Sequence, residues 1–301
     1  ASGGTEIYQG LLSGVKQLRK VALSEYNNQL ILLTDGRTYG DEADCLRVAQ
    51  ESASSNIAIH AFGIGADWDD SFLDARVAPS GGLVEYIDTP QKIVSALQKR
   101  LRDLGETHAH QVTLRAEWPQ SIELLDSFRL TPYAQPLQPD GGKIALGDIE
   151  GAAALSFVLA FSVKPQPIAT RIRIPLHFSA ELPGHGIHNL DQQIQLSVVA
   201  DPPPVDPPPD VIRAVRLLTL YHLHERAWQE AESGRTALAV ESMRHLSTRL
   251  LEAGAPDLAR QADFEAQQLL QTGGVSPSGR KRLKYGTRAL TRKAIQLDWD
   301  D

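Results

Sequence analysis

The sequence has 301 residues but only one cysteine, Cys45, one methionine, and no long apolar run. A single cysteine excludes an internal disulfide framework. It also favours a cytoplasmic location, because disulfides are rare there. The longest apolar stretch, residues 151–161, is far shorter than the roughly 18 residues that a membrane-spanning helix needs. We therefore expect no membrane insertion and a cytoplasmic location.

Basic residues are also fewer than acidic residues. The chain has 30 Lys and Arg residues against 37 Asp and Glu residues, a formal net charge of −7. Because the phosphates of nucleic acids attract basic proteins, this balance argues against a nucleic-acid partner for the chain as a whole.

The sequence also lacks the short motifs of common catalytic sites. Gly-x-Ser-x-Gly, His-Glu-x-x-His and the P-loop pattern do not occur. The paired histidines at 108–110, 185–188 and 222–224 have no cysteine or acidic residue at a spacing typical of zinc sites. We therefore predict that the protein is not an enzyme.

Residues 1–106 alternate between helix patterns and strand patterns. The runs "QLILLTDG" (29–36) and "IAIHAFGIG" (57–65) are almost wholly apolar, which is typical of parallel strands buried on both faces. Helical patterns separate them and the shorter strand "GLVEYI" (82–87). The arrangement predicts a Rossmann-like α/β domain.

Three further regions follow. Residues 107–200 alternate apolar and polar side chains with a period of two, which predicts an antiparallel β-sandwich. The segment "DPPPVDPPPD" (201–210) predicts a stiff linker, and residues 211–273 predict a small module of helical hairpins. Residues 274–301 are rich in Lys and Arg, and we expect a flexible tail or one that docks on the acidic remainder of the chain.

Two short stretches place oxygen ligands at one edge of the first domain. Asp35 follows the first apolar strand, and Thr5 lies in the turn "SGGT" that starts the first helix. In open α/β sheets, ligands bind outside the carboxyl ends of the strands. A carboxylate and a hydroxyl at this edge suit a hard divalent cation such as Mg²⁺, although either residue alone could serve as a turn or helix cap.

Four landmarks together, "SGGTEI", "ILLTDG", "IHAFGIGAD" and "GGLVEYIDTPQKIVSAL", resemble the von Willebrand factor type A domain of bacterial-type proteins. The resemblance covers residues 1–105. It implies a metal-ion-dependent adhesion site built from an Asp-x-Ser-x-Ser loop, a Thr and an Asp. Thr5 and Asp35 match the last two elements, and the residues expected at the rim are Gly4, Glu6, Gly36, Arg37 and Asp67.

The Asp-x-Ser-x-Ser element does not occur in these 301 residues. The resemblance therefore implies that the sequence starts midway through the domain, and that strand 29–36 has an open edge able to pair with another chain. It also implies that Mg²⁺, Mn²⁺ or Ca²⁺ binds the intact domain, whereas we expect weak or no binding by this chain alone.

The function implied by the resemblance is metal-dependent recognition of a protein partner that supplies an acidic residue to the cation. Two other functions remain open. One is a Mg²⁺-dependent enzyme that acts on a phosphorylated substrate, with Asp35 holding the metal. The other is an interaction protein that works through its helical module, in which the metal site is vestigial.

Overall fold

The computed structural model describes residues 6–21, 23, 26–132, 134–150, 154–202 and 204–296. Its first region alternates helices and strands, as the apolar runs predict. The elements of this α/β region are α1 (Ile7–Leu18), β1 (Asn28–Thr34), α2 (Glu42–Ser54), β2 (Ile57–Ile64), α3 (Asp70–Val77), β3 (Val84–Ile87) and α4 (Ile93–Gly105).

The three strands form a parallel sheet in the order β1-β2-β3. The central strand β2 is buried along nearly its whole length because helices cover it and strands flank it. Helices α1, α2 and α3 pack together beside the sheet around a shared apolar core that includes Leu11, Ile59 and Trp68. Parallel strands need crossover connections, and α2 and α3 provide them.

Strand β1 lies at the margin of this sheet. Within the described ranges its only hydrogen-bonded neighbour is β2, and Leu33 is 40% exposed. The open edge expected from the sequence is therefore present in the structure.

The second region is built from antiparallel strands, as its period of two predicts. Its elements are β4 (Thr107–Ala116), β5 (Ile122–Thr131), β6 (Gln135–Pro136), β7 (Pro139–Asp140), β8 (Lys143–Glu150), β9 (Ser156–Val163), β10 (Arg171–Leu182) and β11 (Gly186–Ser197). One sheet has the order β11-β10-β4-β8-β7 and the other β6-β5-β9. Side chains from both sheets share a core that includes Leu114, Ile144 and Ile174.

A buried polar network joins the α/β region to the antiparallel sheets. Arg100 of α4 donates two hydrogen bonds of 2.7 Å to the two carboxylate oxygens of Glu150 on β8. His60 accepts the backbone N–H of Leu83 at Nδ1, and its Nε2 lies within hydrogen-bond distance of Gln29 Oε1 and of the Arg100 guanidinium. Burial lowers the pKa of His60 well below its ordinary value, which keeps the ring neutral.

The last region consists of four helices: α5 (Pro209–Glu232), α6 (Thr236–Glu252), α7 (Pro256–Thr272) and α8 (Pro277–Gln296). Gly234, Gly254 and Gly273 adopt a left-handed conformation after α5, α6 and α7, which ends each helix. The helices enclose an apolar core that includes Trp228, Met243 and Leu283. None of the helices in the described ranges is long and apolar enough to cross a bilayer.

Of the two expectations for residues 274–301, the structure contradicts the flexible tail and agrees with docking on the remainder of the chain. Residues 277–296 form α8, which packs on α5 and α7 and also reaches the α/β region. A basic sequence suggested a solvated segment, but Lys281, Lys284 and Arg288 are buried. The carboxylates of α3 accept hydrogen bonds from Lys284 and Arg288, and the backbone oxygen of Ala66 accepts one from Lys281. Residues 297–301 lie outside the described residues.

Candidate functional site

The candidate site is the carboxyl edge of the parallel sheet, where the loops after β1 and β2 emerge. Asp35, Gly36 and Arg37 follow β1, and both Asp35 and Arg37 are exposed. Asp67 follows β2 and is exposed as well. These four residues, which the sequence predicts as ligand and rim, therefore lie in loops that leave adjacent strands at the same edge.

Hydrogen bonds tie the start of α1 to the loop after β1. The backbone N–H of Ile7 donates to Thr38 Oγ1 at 3.3 Å, and the N–H of Tyr8 donates to Asp41 Oδ2 at 3.1 Å. Thr38 in turn donates to Asp41 Oδ1 at 2.6 Å. Helix N-termini have free N–H groups, and here two side chains from the loop of Asp35 accept them. The N-terminus of α1 is thereby anchored to the loop that follows β1.

The predicted ligand Thr5 and the rim residue Gly4 lie outside the described residues. Glu6 is described and exposed, and it precedes α1 without a side-chain cap. In the described part of the chain, no group of three or more His, Cys, Asp or Glu side chains is placed to hold a metal ion. Asp35 is therefore the one predicted ligand whose position the structure gives.

A small cavity of about 140 Å³ opens next to this edge. It lies between the N-terminus of α1, the loop after β1 and the N-terminus of α3, and its lining includes Arg37, Thr38, Tyr39, Asp69 and Phe72. Tyr39 is 80% exposed. An exposed aromatic ring beside an exposed guanidinium is typical of surfaces that bind proteins.

Trp68 organises the loop between β2 and α3. Its ring is fully buried, and its Nε1 donates to the backbone oxygen of Gly65 at 2.9 Å. Asp69 then caps α3 by accepting the N–H of Phe72 at 2.8 Å. The loop that carries Asp67 is therefore held by its own neighbours on both sides.

Helix α8 from the end of the chain packs directly on this loop. Lys281 Nζ donates to the backbone oxygen of Ala66 at 2.5 Å and lies 4.8 Å from the centre of the Trp68 ring. Tyr285 packs against Trp68 with ring centres 5.7 Å apart. Cation–π and aromatic contacts of this kind stabilise the docked helix.

A buried charge cluster completes the docking of α8. Asp70 and Asp74 lie one turn apart on α3, and Lys284 forms ion pairs with both. Arg288 makes a bidentate pair with Asp74, with N–O distances of 2.9 and 2.7 Å. Burial alone would raise the pKa of Asp74, but Arg288 and Lys284 hold it far below the ordinary value.

The charges of α8 also reach the edge of the sheet. Burial lowers the pKa of Lys281, and the nearby positive charges of Arg37 and Arg280 lower it further, whereas Asp70 opposes them. Arg37 in the loop after β1 and Lys281 on α8 are thus electrostatic neighbours. The helical region contributes positive charge close to the predicted rim.

Sequence patterns did not reveal this contact. The acidic pair at Asp70 and Asp74 and the basic residues of α8 are separated by 214 positions in the chain. The sequence did contain one signal, a spacing of four residues within each pair. Asp70 and Asp74 therefore lie on one face of their helix, and Lys284 and Arg288 lie on one face of theirs.

Gly63 on β2 provides a test of the packing beneath this loop. A Cβ atom at this position would lie 2.0 Å from the Trp68 ring. We expect Gly63→Ala to displace Trp68 and to lower the free energy of unfolding by about 1–3 kcal/mol, as overpacking does. Thermal unfolding followed by tryptophan fluorescence measures this effect.

The matched control for Gly63 is Gly10, in the middle of α1, where an added Cβ would meet nothing within 4 Å. Gly10→Ala should stabilise the protein by about 0.5–1 kcal/mol because alanine favours the helix. Equal effects from the two substitutions would contradict the packing argument.

Two parts of the chain are similar to known domain families. Residues 1–99 match the family model of the von Willebrand factor type A domain. Domains of this type commonly mediate protein–protein interaction. Residues 209–293 match a second family, the Sll0103-like, C-terminal alpha-helical domain, which includes most of α8.

A curated relative is the uncharacterized protein sll0103 of Synechocystis, which is 30% identical over 114 residues. The match covers 36% of this chain and spans 27% of the length of that relative.

Two solved structures share the fold. A von Willebrand factor type A protein from Catenulispora acidiphila superposes with a TM-score of 0.76 at 17% identity, covering 96% of this chain and 71% of that one. The human COPII-coat protein Sec24c superposes with a TM-score of 0.53 at 10% identity, covering 97% of this chain and 44% of that one. At these identities the likeness concerns the fold. It extends beyond the von Willebrand factor type A region to the antiparallel sheets and the helices.

Proposed function

We propose that the chain recognises a protein partner through the carboxyl edge of its von Willebrand factor type A sheet. The observation that carries this proposal is the anchoring of α1 to the loop of Asp35 by the N–H groups of Ile7 and Tyr8. It holds the start of α1 and the loop that begins at Asp35 together at one edge of the sheet.

The proposed partner surface is acidic. Arg37 is exposed at the edge, Lys281 lies close enough to affect it electrostatically, and Arg282 on the same helix is exposed. Complementary charge mainly accelerates association and excludes wrong partners. An Asp or Glu of the partner would meet the guanidinium of Arg37 here, beside the carboxylates of Asp35 and Asp67.

Metal dependence is proposed only for a domain with a fuller ligand set. A hard cation takes about six oxygen ligands, several of them water. The described residues supply the carboxylate of Asp35, and Thr5 would add a hydroxyl. These two groups are too few to hold Mg²⁺, Mn²⁺ or Ca²⁺ tightly, so we expect the 301-residue chain to bind such a cation weakly or not at all.

Calorimetric titration of Mg²⁺ and Mn²⁺ tests the metal dependence. The titration should be done on the protein at its native length, which mass spectrometry of the protein isolated from its own cells establishes. The 301-residue chain is titrated for comparison. We expect saturable binding by a native-length protein that contains an Asp-x-Ser-x-Ser loop, and loss of that binding in Asp35→Ala.

Asp44→Asn is the control for this titration. Asp44 is a half-exposed carboxylate on α2 whose partner is Arg47, so its removal should leave cation binding unchanged. Absence of binding by a folded native-length protein would overturn the metal-dependent mechanism. It would leave the charged edge and the helical region as the surfaces to examine.

A further inference from the structure

Strand β11 is the outermost strand of the five-stranded sheet, far from the edge considered above. It runs over Gly186–Ser197, and all 12 of its residues are exposed. Its inner neighbour is β10, and no strand of the described residues pairs with its outer side. A row of backbone N–H and C=O groups is therefore open to solvent along the whole strand.

This edge lacks the features by which proteins usually prevent edge-to-edge pairing. Natural edge strands are short, bulged, or interrupted by proline or lysine. β11 has no Pro, Lys or Arg, and its pairing with β10 continues from Gly186 to Ser197 without a register shift. Apart from the histidine at 188, its one charged residue is Asp191, which pairs with His177 on β10 at 2.8 Å.

Alternate side chains of β11 lie on the inner face of the sheet, where three apolar residues accompany His188 and Gln192. Leu190, Ile194 and Leu196 lie opposite Phe178, Ile174 and Ile172 of β10, on the side of the sandwich core. Even so, Leu190 is 58% exposed and Ile194 is 37% exposed. The core is thus open at this margin of the sheet, and a neighbouring strand would cover it.

We propose that two copies of the chain associate through antiparallel pairing of β11 with β11. The two five-stranded sheets would then form one continuous sheet of ten strands. Because side chains alternate along a strand, inner residues must face inner residues, which restricts the possible registers to those that keep the two apolar faces together.

Charge selects among these registers. If Asp191 lay opposite Asp191 of the second copy, two like charges would oppose each other, which is destabilising. A shift that places Gln192 opposite Gln192 avoids this and still pairs the strand from Ile187 to Ser197. Asp191 then lies opposite the neutral Gln193 of the second copy. Leu190 lies opposite Ile194 of the second copy, and the two-fold axis repeats this pair on its other side. The strand is therefore complementary to itself in this register.

Two cysteine substitutions test this register by disulfide formation. In the proposed dimer Gln192 lies opposite itself, with Cβ atoms about 4.5–5.5 Å apart, so Gln192→Cys should form a disulfide-linked dimer under mild oxidation. The native Cys45 is fully buried and gives a low background. Gln195→Cys is the matched control, because its copy would lie about 20 Å away along the strands.

The molecular mass in solution is a second measure of dimer formation, and it does not depend on a disulfide bond. We expect a concentration-dependent dimer of the full chain by analytical ultracentrifugation. Leu190→Lys should shift it to monomer because it introduces two lysines into the paired apolar face. Val199→Lys should not, since Val199 is similarly exposed, at 51%, but lies beyond β11.

Three results would overturn the proposal. The first is a monomer at all concentrations together with no cross-link at position 192. The second is preferential cross-linking at Gln195, which would indicate another register. The third is a monomer whose β11 amides are nonetheless protected from hydrogen exchange, which would show that a strand of the same molecule or a different ligand covers the edge.

Discussion

Replacing Glu150 with Gln is expected to lower the free energy of unfolding by about 3–5 kcal/mol, because it removes the charged carboxylate that accepts two hydrogen bonds from the buried guanidinium of Arg100. Both side chains are almost inaccessible, and both carboxylate oxygens of Glu150 accept hydrogen bonds from Arg100. The pair joins α4 to β8, so its loss should loosen the contact between the α/β region and the antiparallel sheets.

Urea-induced unfolding of the wild type and of Glu150→Gln measures this effect. Asp44→Asn is a suitable control, because the Arg47–Asp44 pair is about half exposed and such pairs contribute about 1 kcal/mol or less. The double variant Arg100→Met, Glu150→Leu should recover much of the loss, since apolar groups of similar volume often replace a buried ion pair at little cost. A double variant as unstable as the single one would contradict this account.

Asp74→Asn is expected to release α8 from the α/β region. The substitution removes the carboxylate that forms a bidentate pair with Arg288 and one of the two carboxylates that pair with Lys284. Breaking a buried charge cluster costs about 3–5 kcal/mol, which exceeds what a single aromatic contact with Trp68 contributes. The helical bundle should remain folded, because its own apolar core does not depend on Asp74.

Hydrogen exchange of α3 and α8 measures this release. Exchange should increase in α8 and in the loop 65–69 of Asp74→Asn. Tyr285→Phe is the control at the same interface: its hydroxyl is buried without a hydrogen-bond partner in the described residues, and its ring is retained. Unchanged exchange in Asp74→Asn, or equal increases in both variants, would refute the electrostatic basis of the docking.

The same cluster determines how docking depends on pH. The pKa of Asp74 is lowered in the folded protein, so its contribution is complete above the unfolded value of about 3.9 and is lost as the pH falls through the folded value. We therefore expect α8 to stay docked at mildly acidic pH and to dissociate only in stronger acid. In Asp74→Asn this acid dependence should be reduced.

The fold class was predictable because its signals are local. The apolar runs of β1 and β2 indicated buried parallel strands, and the period of two in β10 indicated a half-buried antiparallel one. The family assignment of the first region was confirmed by the match over residues 1–99. The ligand role of Thr5 and Asp35 stays a prediction, and the structure adds the anchoring of the start of α1 to the loop that follows β1.

The sequence by itself determined the helices and strands of the α/β region, the period of two in the antiparallel region and the three helices before α8, because periodicity and glycine act over a few residues. Only the tertiary structure decided where α8 lies and which charges are buried. A basic helix looks solvated unless carboxylates are known to face it, and Asp70 and Asp74 lie 214 positions earlier than the residues they pair with. Burial of charge depends on such distant partners, so no local pattern could predict it.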